Sequence, residues 1–316
     1  MQSSKFNVGV DVGGTTINTG FINQSGKIIS HTTMATEAKR GSEAIIQAII
    51  RKIKLMLAES GKAQKDIGSI GIGVPGTADS KNGVVVFAPN IFWQNVQVSA
   101  PLREAFNVPV HLGQDSRAAA WGEYLVGSAK GYKNTASITL GTGIGCGMII
   151  DGRLFHGGLN TAGEFGHMIV ELNGNKCNCG KTGCLEAHSA GLFIVREGKK
   201  IPDVEKILRK NPDEVTVKDV FRLAEKGNTD AGKITDSVVS YLGMGFVNLI
   251  NLNSLELISI SGGISNAPDE LLLNPLKEFI RQRAYSAIAD KVKIVKSSLG
   301  DNAPMIGAAL LDKSAE

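Results

Sequence analysis

Two stretches of this chain are built to one plan. Residues 6–22 read FNVGVDVGGTTINTGFI and residues 136–154 read ASITLGTGIGCGMIIDGRL. Each is a polar, glycine-rich turn between two apolar, strand-like runs, and this is an internal repeat. A chain that opens a sheet twice in the same way has room for two domains, and 316 residues exceed the usual size of a single core.

The pattern between and after the repeats alternates strand and helix. Strands are expected at 6–12, 20–22 and 27–33, forming a meander with DVGGTT at its first turn. A helix follows over 42–59, with Ser42 as its cap and Ile45, Ile46, Ile49, Ile50, Ile53 and Leu57 on one face. A buried strand at 67–74, a short helix at 102–106, a strand at 108–112 and a helix at 116–126 complete the first half. After the strand at 135–140 come a charged helical region at 197–232, an apolar helix at 233–251, a strand at 255–260, a helix at 275–287, a strand at 292–296 and a last helix at 305–311. Such alternation predicts an α/β protein with helices on the faces of its sheets.

Composition excludes several classes. A net charge of +4 with interspersed signs and no Lys/Arg run argues against nucleic acid. No window approaches the roughly 18 apolar residues of a membrane span, and no signal-peptide pattern precedes the first strand. Four cysteines, three of them crowded together, make no disulfide framework. A soluble cytoplasmic protein without a membrane or nucleic-acid partner is expected.

The glycine turns carry the first chemistry. In Asp11-Val12-Gly13-Gly14-Thr15-Thr16, exposed N–H groups and threonine hydroxyls can bind phosphate oxygens, and Asp11 can hold a metal-bound water beside them. Gly141-Thr142-Gly143 repeats that chemistry. Either alone is matched by an ordinary hairpin turn. Two in corresponding places favour one loop on each side of a nucleotide's phosphate chain. Gly262-Gly263, after a buried strand, stands where open α/β sheets place ligands, and nucleoside contact is expected. Gly71-Ile72-Gly73-Val74-Pro75-Gly76 matches a dinucleotide fingerprint, but Pro75 and the following TADSKNG are turn chemistry and open no helix. Gly180-Lys181-Thr182 lacks the upstream glycine of a phosphate loop. Asp115, at a strand–helix junction beside Gln114, fits a helix cap or a general base toward a sugar hydroxyl. Asn90, in PNIFW, offers an amide to carbohydrate, with Trp93 as a buried anchor for that loop.

The remaining cluster is His167, Cys177, Cys179 and Cys184, a complete tetrahedral zinc set, with glycines at 180 and 183 to fold the backbone tightly around the ion. Four protein ligands close such a site, which predicts a structural metal rather than a catalytic one. Glu164 and Glu186 flank it. His111, His156 and His188 carry no evident partners, and His31 reads as exposed.

Taken together in order, DVGGTT, LGTGIG, GEFGH with CNCGKTGCLE, and SGGIS resemble the ROK family of sugar kinases and repressors, within the hexokinase–actin superfamily. The resemblance implies two actin-like (ribonuclease H-like) α/β domains with mixed sheets flanked by helices and a cleft between them. It divides the chain into 1–113, joined by a C-terminal helix of about 304–316, and 114–303 with the zinc knuckle. It implies ATP, Mg²⁺ and structural Zn²⁺, with Asp115 as base. Asn90, Gln114, Asp115, Glu164, His167 and Glu186 would contact the sugar, and His167 would face zinc and sugar at once. The expected reaction is γ-phosphate transfer to the 6-hydroxyl of a hexose, glucose first because PNIFW looks most like the glucokinase branch. N-acetylmannosamine, N-acetylglucosamine, allose and fructose are the alternatives, and a non-catalytic sugar-sensing regulator is the alternative of another class. Family repressors carry a helix-turn-helix domain ahead of the first strand. Only about five residues precede it here, so DNA binding is not expected. A homodimer or homotetramer is expected. Two positions depart from the family: Gln114 replaces the usual asparagine, and Ser116-Arg117 replaces the usual Ala-Asn.

Overall fold

A computed structural model describes residues 5–314. Residues 1–4 and 315–316, the outer ends of the expected domain spans, lie outside the described residues. The first sheet begins with β1 (Phe6–Val12), β2 (Thr16–Ile22) and β3 (Ile28–Ala35). Helix α1 (Ser42–Ser60) leads to β4 (Ile67–Val74). A separate three-stranded sheet follows, β5 (Thr77–Asp79), β6 (Val84–Ala88) and β7 (Trp93–Gln97). Then come α2 (Ser99–Phe106), β8 (Val110–Gln114) and α3 (Asp115–Val126). The second large sheet contains β9 (Thr135–Leu140), β10 (Ile144–Ile150) and β11 (Arg153–Leu154). Short helices α4 (Glu186–Ser189), α5 (Gly191–Gly198), α6 (Val204–Leu208) and α7 (Val217–Glu225) precede the long α8 (Thr229–Asn253). The chain ends with β12 (Leu257–Ser261), α9 (Leu273–Arg283), α10 (Ser286–Ala289), β13 (Lys293–Lys296) and α11 (Ala303–Ala309).

The repeat seen in the sequence is a repeat of topology. One sheet runs β3-β2-β1-β4-β8 and the other β11-β10-β9-β12-β13. In the first, β1 pairs antiparallel with β2 and parallel with β4, and β4 pairs parallel with β8. In the second, β12 pairs parallel with both β9 and β13. The central strands are buried on both faces, as parallel strands covered by helices must be.

By contact the chain forms two compact units. One takes the chain through Gly131, then Gly147–Ala162 and the segment from Asp301 onward. The other takes Tyr132–Cys146 and Gly163–Gly300. The expected boundary at 113/114 falls inside the first unit. Within that unit α11 lies directly on backbone: a Cβ on Gly9 would stand 2.0 Å from the Met305 carbonyl oxygen, one on Gly71 1.7 Å from that of Ala308, and one on Gly307 1.7 Å from that of Ala118. Three positions without side chains thus let one short helix seat against β1, β4 and α3. Asn7 Nδ2 donates to Ala309 O at 2.8 Å and Trp121 Nε1 to Leu310 O at 2.8 Å, holding the last turn in place.

Local expectations need three corrections. Ser42 caps nothing: Gly41 occupies the cap and Ser42 is the first helical residue. The second strand begins at Thr16, not Gly20, because the turn before it is shorter than its glycine content suggests. The helix expected over 275–287 breaks after Arg283, where Ala284 turns extended before α10. Trp93 is the buried anchor expected of it, at 1% exposure. Among the described residues no helix is long and apolar enough to cross a membrane.

Candidate functional site

In the first unit the predicted residues gather at the carboxyl ends of parallel strands. Gly73 of β4 pairs with Asp11 of β1 on one side and Gly113 of β8 on the other, so the ends of three strands lie side by side. The Gly13–Thr15 turn leaves β1 there and Asp115 opens α3 there. A Cβ on Gly73 would stand 3.4 Å from Asp115 Cα, and one on Gly14 3.9 Å from Asn90 Cβ. Such strand ends are the ligand-binding edge of open α/β sheets.

The turn is held by its own backbone. Gly13 N–H donates to Thr16 O at 2.9 Å, Thr36 Oγ1 donates to Gly13 O at 2.7 Å, and Thr36 N–H donates to Thr15 O at 2.8 Å. Gly14, Thr15 and Thr16 remain exposed. Asp11 is half-buried, and burial pushes its carboxyl up to about 6, against the opposing effect of Asn18 Nδ2, which donates to it at 3.4 Å. Asp115 Oδ1 accepts the Ser116 N–H at 2.6 Å. Beside it, Gln114 Oε1 is buried with no protein partner, as is Ser116 Oγ. Unsatisfied buried acceptors carry a desolvation cost of about 1–3 kcal/mol, so a polar ligand at Gln114 would relieve one.

The second unit repeats the arrangement and adds the cysteine cluster. Gly141 N–H donates to Gly143 O at 3.0 Å, and Gly191 N–H, at the start of α5, donates to Gly141 O at 2.8 Å. Gly262, at φ +84°, follows β12, and a Cβ there would stand 2.5 Å from Leu140 O. The Gly141 turn and Gly262-Gly263 therefore adjoin at the carboxyl ends of β9 and β12, where Gly263 is exposed.

Ligand atoms of His167, Cys177, Cys179 and Cys184 lie within 4.8 Å of one another. Cys179 Sγ and Cys184 Sγ are 3.7 Å apart, and Cys177 Sγ and His167 Nδ1 3.8 Å. A tetrahedron of about 2.3 Å bonds has edges of about 3.8 Å, so these separations fit four-coordinate zinc. Burial pushes the Cys177 thiol up to about 12, and a bound cation would counter that by favouring the thiolate. Gly180 and Gly183 take φ values of +87° and +82°, as the tight fold around the cluster requires. The fourth cysteine, Cys146, is fully buried elsewhere in the unit.

Glu186 joins the two features. Its Oε2 accepts Ile144 N–H at 2.9 Å, at the exit of the glycine turn, and its Oε1 lies 3.7 Å from Cys177 Sγ. His167 turns Nδ1 toward Cys177 and Nε2 toward Glu164, 3.9 Å from Oε2. Two further residues, named in the sequence without a role, find partners in the structure. His188 is buried; its Nε2 accepts Asn175 N–H at 3.0 Å, and its ring packs on Tyr241 with centroids 4.4 Å apart. Burial lowers its pKa, which keeps that acceptor free. Arg117, buried at 4% exposure, donates to Asn160 and to Ala162 O within the first unit. No local pattern could have found His188. For Arg117 the signal was its departure from the family motif.

A duplicated five-stranded sheet with glycine turns at matching strand ends is the plan of actin-like ATPases, and solved ROK kinases share it. The chain belongs to the ROK family, whose sequence model matches residues 7–315. It is 35% identical to a glucokinase of Halalkalibacterium halodurans, covering 100% of this chain and 97% of that protein. It is 31% identical to a xylose repressor of Caldicellulosiruptor bescii, covering 95% of this chain and 76% of the repressor. The crystal structure of a ROK family glucokinase from Streptomyces griseus in complex with glucose and AMPPNP superposes with a TM-score of 0.82 at 30% identity, covering 98% of this chain and all of that one (100%).

Proposed function

We propose that this chain is an ATP-dependent hexose kinase that phosphorylates the 6-hydroxyl of a sugar, glucose before other hexoses. The observation that carries the reading is Asp115, a carboxylate at the first turn of α3, on the strand-end edge where the Gly13 turn also lies. Asp115 takes the proton of the 6-hydroxyl as that oxygen bonds to the γ-phosphorus. The bond from phosphorus to the bridging oxygen breaks and ADP leaves. In this reading Gly13, Gly14, Thr15 and Thr16 and Gly141, Thr142 and Gly143 offer N–H and hydroxyl groups to the phosphates. Asp11 would help to hold a Mg²⁺ ion, whose charge would offset that of the phosphates, and Gly262 and Gly263 approach the nucleoside. Asn90, Gln114, Glu164, His167 and Glu186 bind sugar hydroxyls. Gln114 is one methylene longer than the family asparagine, so it bears on which sugar fits.

His167, Cys177, Cys179 and Cys184 would hold a structural Zn²⁺, which keeps the Glu164–His167 segment and Glu186 in place for the sugar. A cytoplasmic homodimer or homotetramer belongs to the same reading.

The test is ADP release across glucose, mannose, fructose, allose and the N-acetylhexosamines. Asp115→Asn lowers kcat by about 10²–10⁴ while leaving sugar binding nearly intact. Residual phosphorylation near the wild-type rate removes Asp115 from the role of base. Sugar binding without ADP release by the wild type would instead mark a sugar-sensing regulator.

A further inference from the structure

The hairpin that carries two of the three clustered cysteines is fastened at its base through Asn175. Lys176 and Thr182 pair as an antiparallel bridge, and Cys177 N–H donates to Lys181 O at 2.8 Å, which closes the loop over Cys179. At the open end Asn175 O accepts Gly183 N–H at 2.9 Å, while Asn175 N–H donates to His188 Nε2 at 3.0 Å. A neutral imidazole has one acceptor nitrogen, so this bond puts the ring proton on Nδ1, which stands 3.7 Å from Glu171 Oε2 and 3.1 Å from the Asn175 side-chain amide. Tyr241 of α8 donates to the same Glu171 oxygen and lies against the ring, with centroids 4.4 Å apart. His188 is 3% exposed and belongs to α4, just beyond Cys184 and Glu186. A Cβ on Gly174 would stand 2.3 Å from Nε2, so the backbone ahead of Asn175 is left bare for the ring to reach it.

We infer that His188 is a positioning residue for the metal knuckle: its imidazole, seated on Tyr241, pins the hairpin carrying Cys177 and Cys179 to the helical turn that follows Cys184 and Glu186. This rests on the zinc reading of the cluster. The four candidate ligands come from three stretches of chain: His167 alone, Cys177 with Cys179 on the hairpin, and Cys184 ahead of α4. An ion held by short bonds requires those stretches to keep their mutual distances. The bond from Asn175 to His188 ties the second stretch to the third. Removing the acceptor leaves the Asn175 N–H without its partner and loosens that tie.

His188→Phe keeps a ring against Tyr241 and removes the acceptor, whereas His188→Gln supplies an amide oxygen near the place of Nε2 and gives up the ring. Competition with a chromophoric chelator reads the Zn²⁺ affinity of the whole purified chain, and melting curves establish that each variant is folded. His188→Phe holds Zn²⁺ about tenfold less tightly than wild type, the lower end of the scale for partners outside the ligand set, and His188→Gln recovers to within about threefold. A side chain that only fills the core predicts the opposite order, with Phe close to wild type and Gln the weaker. That order, or equal affinity in the two variants, overturns the inference. If His188→Phe does not fold, Gly174→Ala, whose methyl must displace the ring, shows the same loss, and unchanged affinity there overturns the inference as well. A wild type that neither contains zinc nor takes up added Zn²⁺ overturns the zinc reading together with the inference. A wild type that holds zinc with an affinity these substitutions do not move overturns the inference alone.

Discussion

The two glycine turns have the same plan and different supports. In both, the first glycine donates its N–H back across the turn, Gly13 to Thr16 O and Gly141 to Gly143 O. The first turn is then backed by a neutral hydroxyl, Thr36 Oγ1 on Gly13 O. The second is backed by the Glu186 carboxylate, whose other oxygen lies beside Cys177. The strands that enter the turns differ as well. Two residues ahead of Gly13 stands the half-buried acid Asp11, while two residues ahead of Gly141 stands Thr139, whose hydroxyl meets Ser261 Oγ at 3.3 Å. A duplicated fold has therefore acquired unequal dependencies. The second turn should answer to the cysteine cluster and the first to pH.

The largest effect expected from that asymmetry comes from Cys177→Ser. Loss of one thiolate should release the metal and free Glu186 from its neighbour, lowering sugar phosphorylation by about a hundredfold. Hydrogen exchange should then quicken across 141–144 far more than across 13–16, where the Thr36 bonds remain. Metal analysis paired with exchange mass spectrometry reads both halves. Equal acceleration in the two turns breaks the comparison, and purified wild type without zinc removes its metal term.

A smaller and more local test adds one methyl to each turn. A Cβ on Gly143 would stand 2.5 Å from Glu186 Oε2, whereas one on Gly14 meets nothing nearer than Asn90 Cβ at 3.9 Å. Gly143→Ala must displace Glu186 or the backbone, and overpacking of this kind destabilises by about 1–3 kcal/mol. Gly14→Ala should stay within about 0.5 kcal/mol in the ligand-free protein. Chemical denaturation of the two variants measures the difference, and similar losses would mean that Glu186 does not brace the second turn.

The parts of the molecule legible in the sequence are those whose determinants are local. The glycine turns announce themselves between apolar runs, and the cysteine spacing encodes its own tight backbone. Long α8 shows its apolar content over many turns, although Thr229–Asn253 extends the expected span at both ends. The small β5-β6-β7 sheet was missed because its strands are short and its exposed and buried residues do not alternate cleanly, with Phe92 turned to φ +58° between two of them. The seat of α11 was equally hidden, since Gly9 and Gly71 are reserved for a helix some 230–300 residues away. His188 reads as a histidine without an evident partner, in the core or on the surface, until the backbone of Asn175 is folded against it. The candidate ligands could be named from motifs, but the bonds that brace them, from Thr36 to Gly13 and Thr15 and from the Ile144 amide to Glu186, exist only once the chain has closed on itself.

The smallest effect separates the turns by charge. Burial raises the Asp11 carboxyl from 3.8 to about 6, so the ionised form is the disfavoured one in the folded protein. Between those values the folded state holds more proton than the unfolded chain does, and stability must fall as pH rises through that window, then level off above about 6. At about 1.4 kcal/mol per pH unit, discounted for partial exposure, the contribution is about 1–2 kcal/mol. Asp11→Asn should remove this decline and gain stability at neutral pH relative to wild type, because a neutral amide escapes the desolvation that penalises the carboxylate. Thr139→Val, at the matching strand position, should leave the pH slope as it is. Denaturant titrations at pH 4, 5, 6 and 7.5 distinguish these outcomes. If the wild-type and Asp11→Asn curves run parallel, Asp11 titrates as an ordinary surface acid, and the pH half of the asymmetry between the turns disappears.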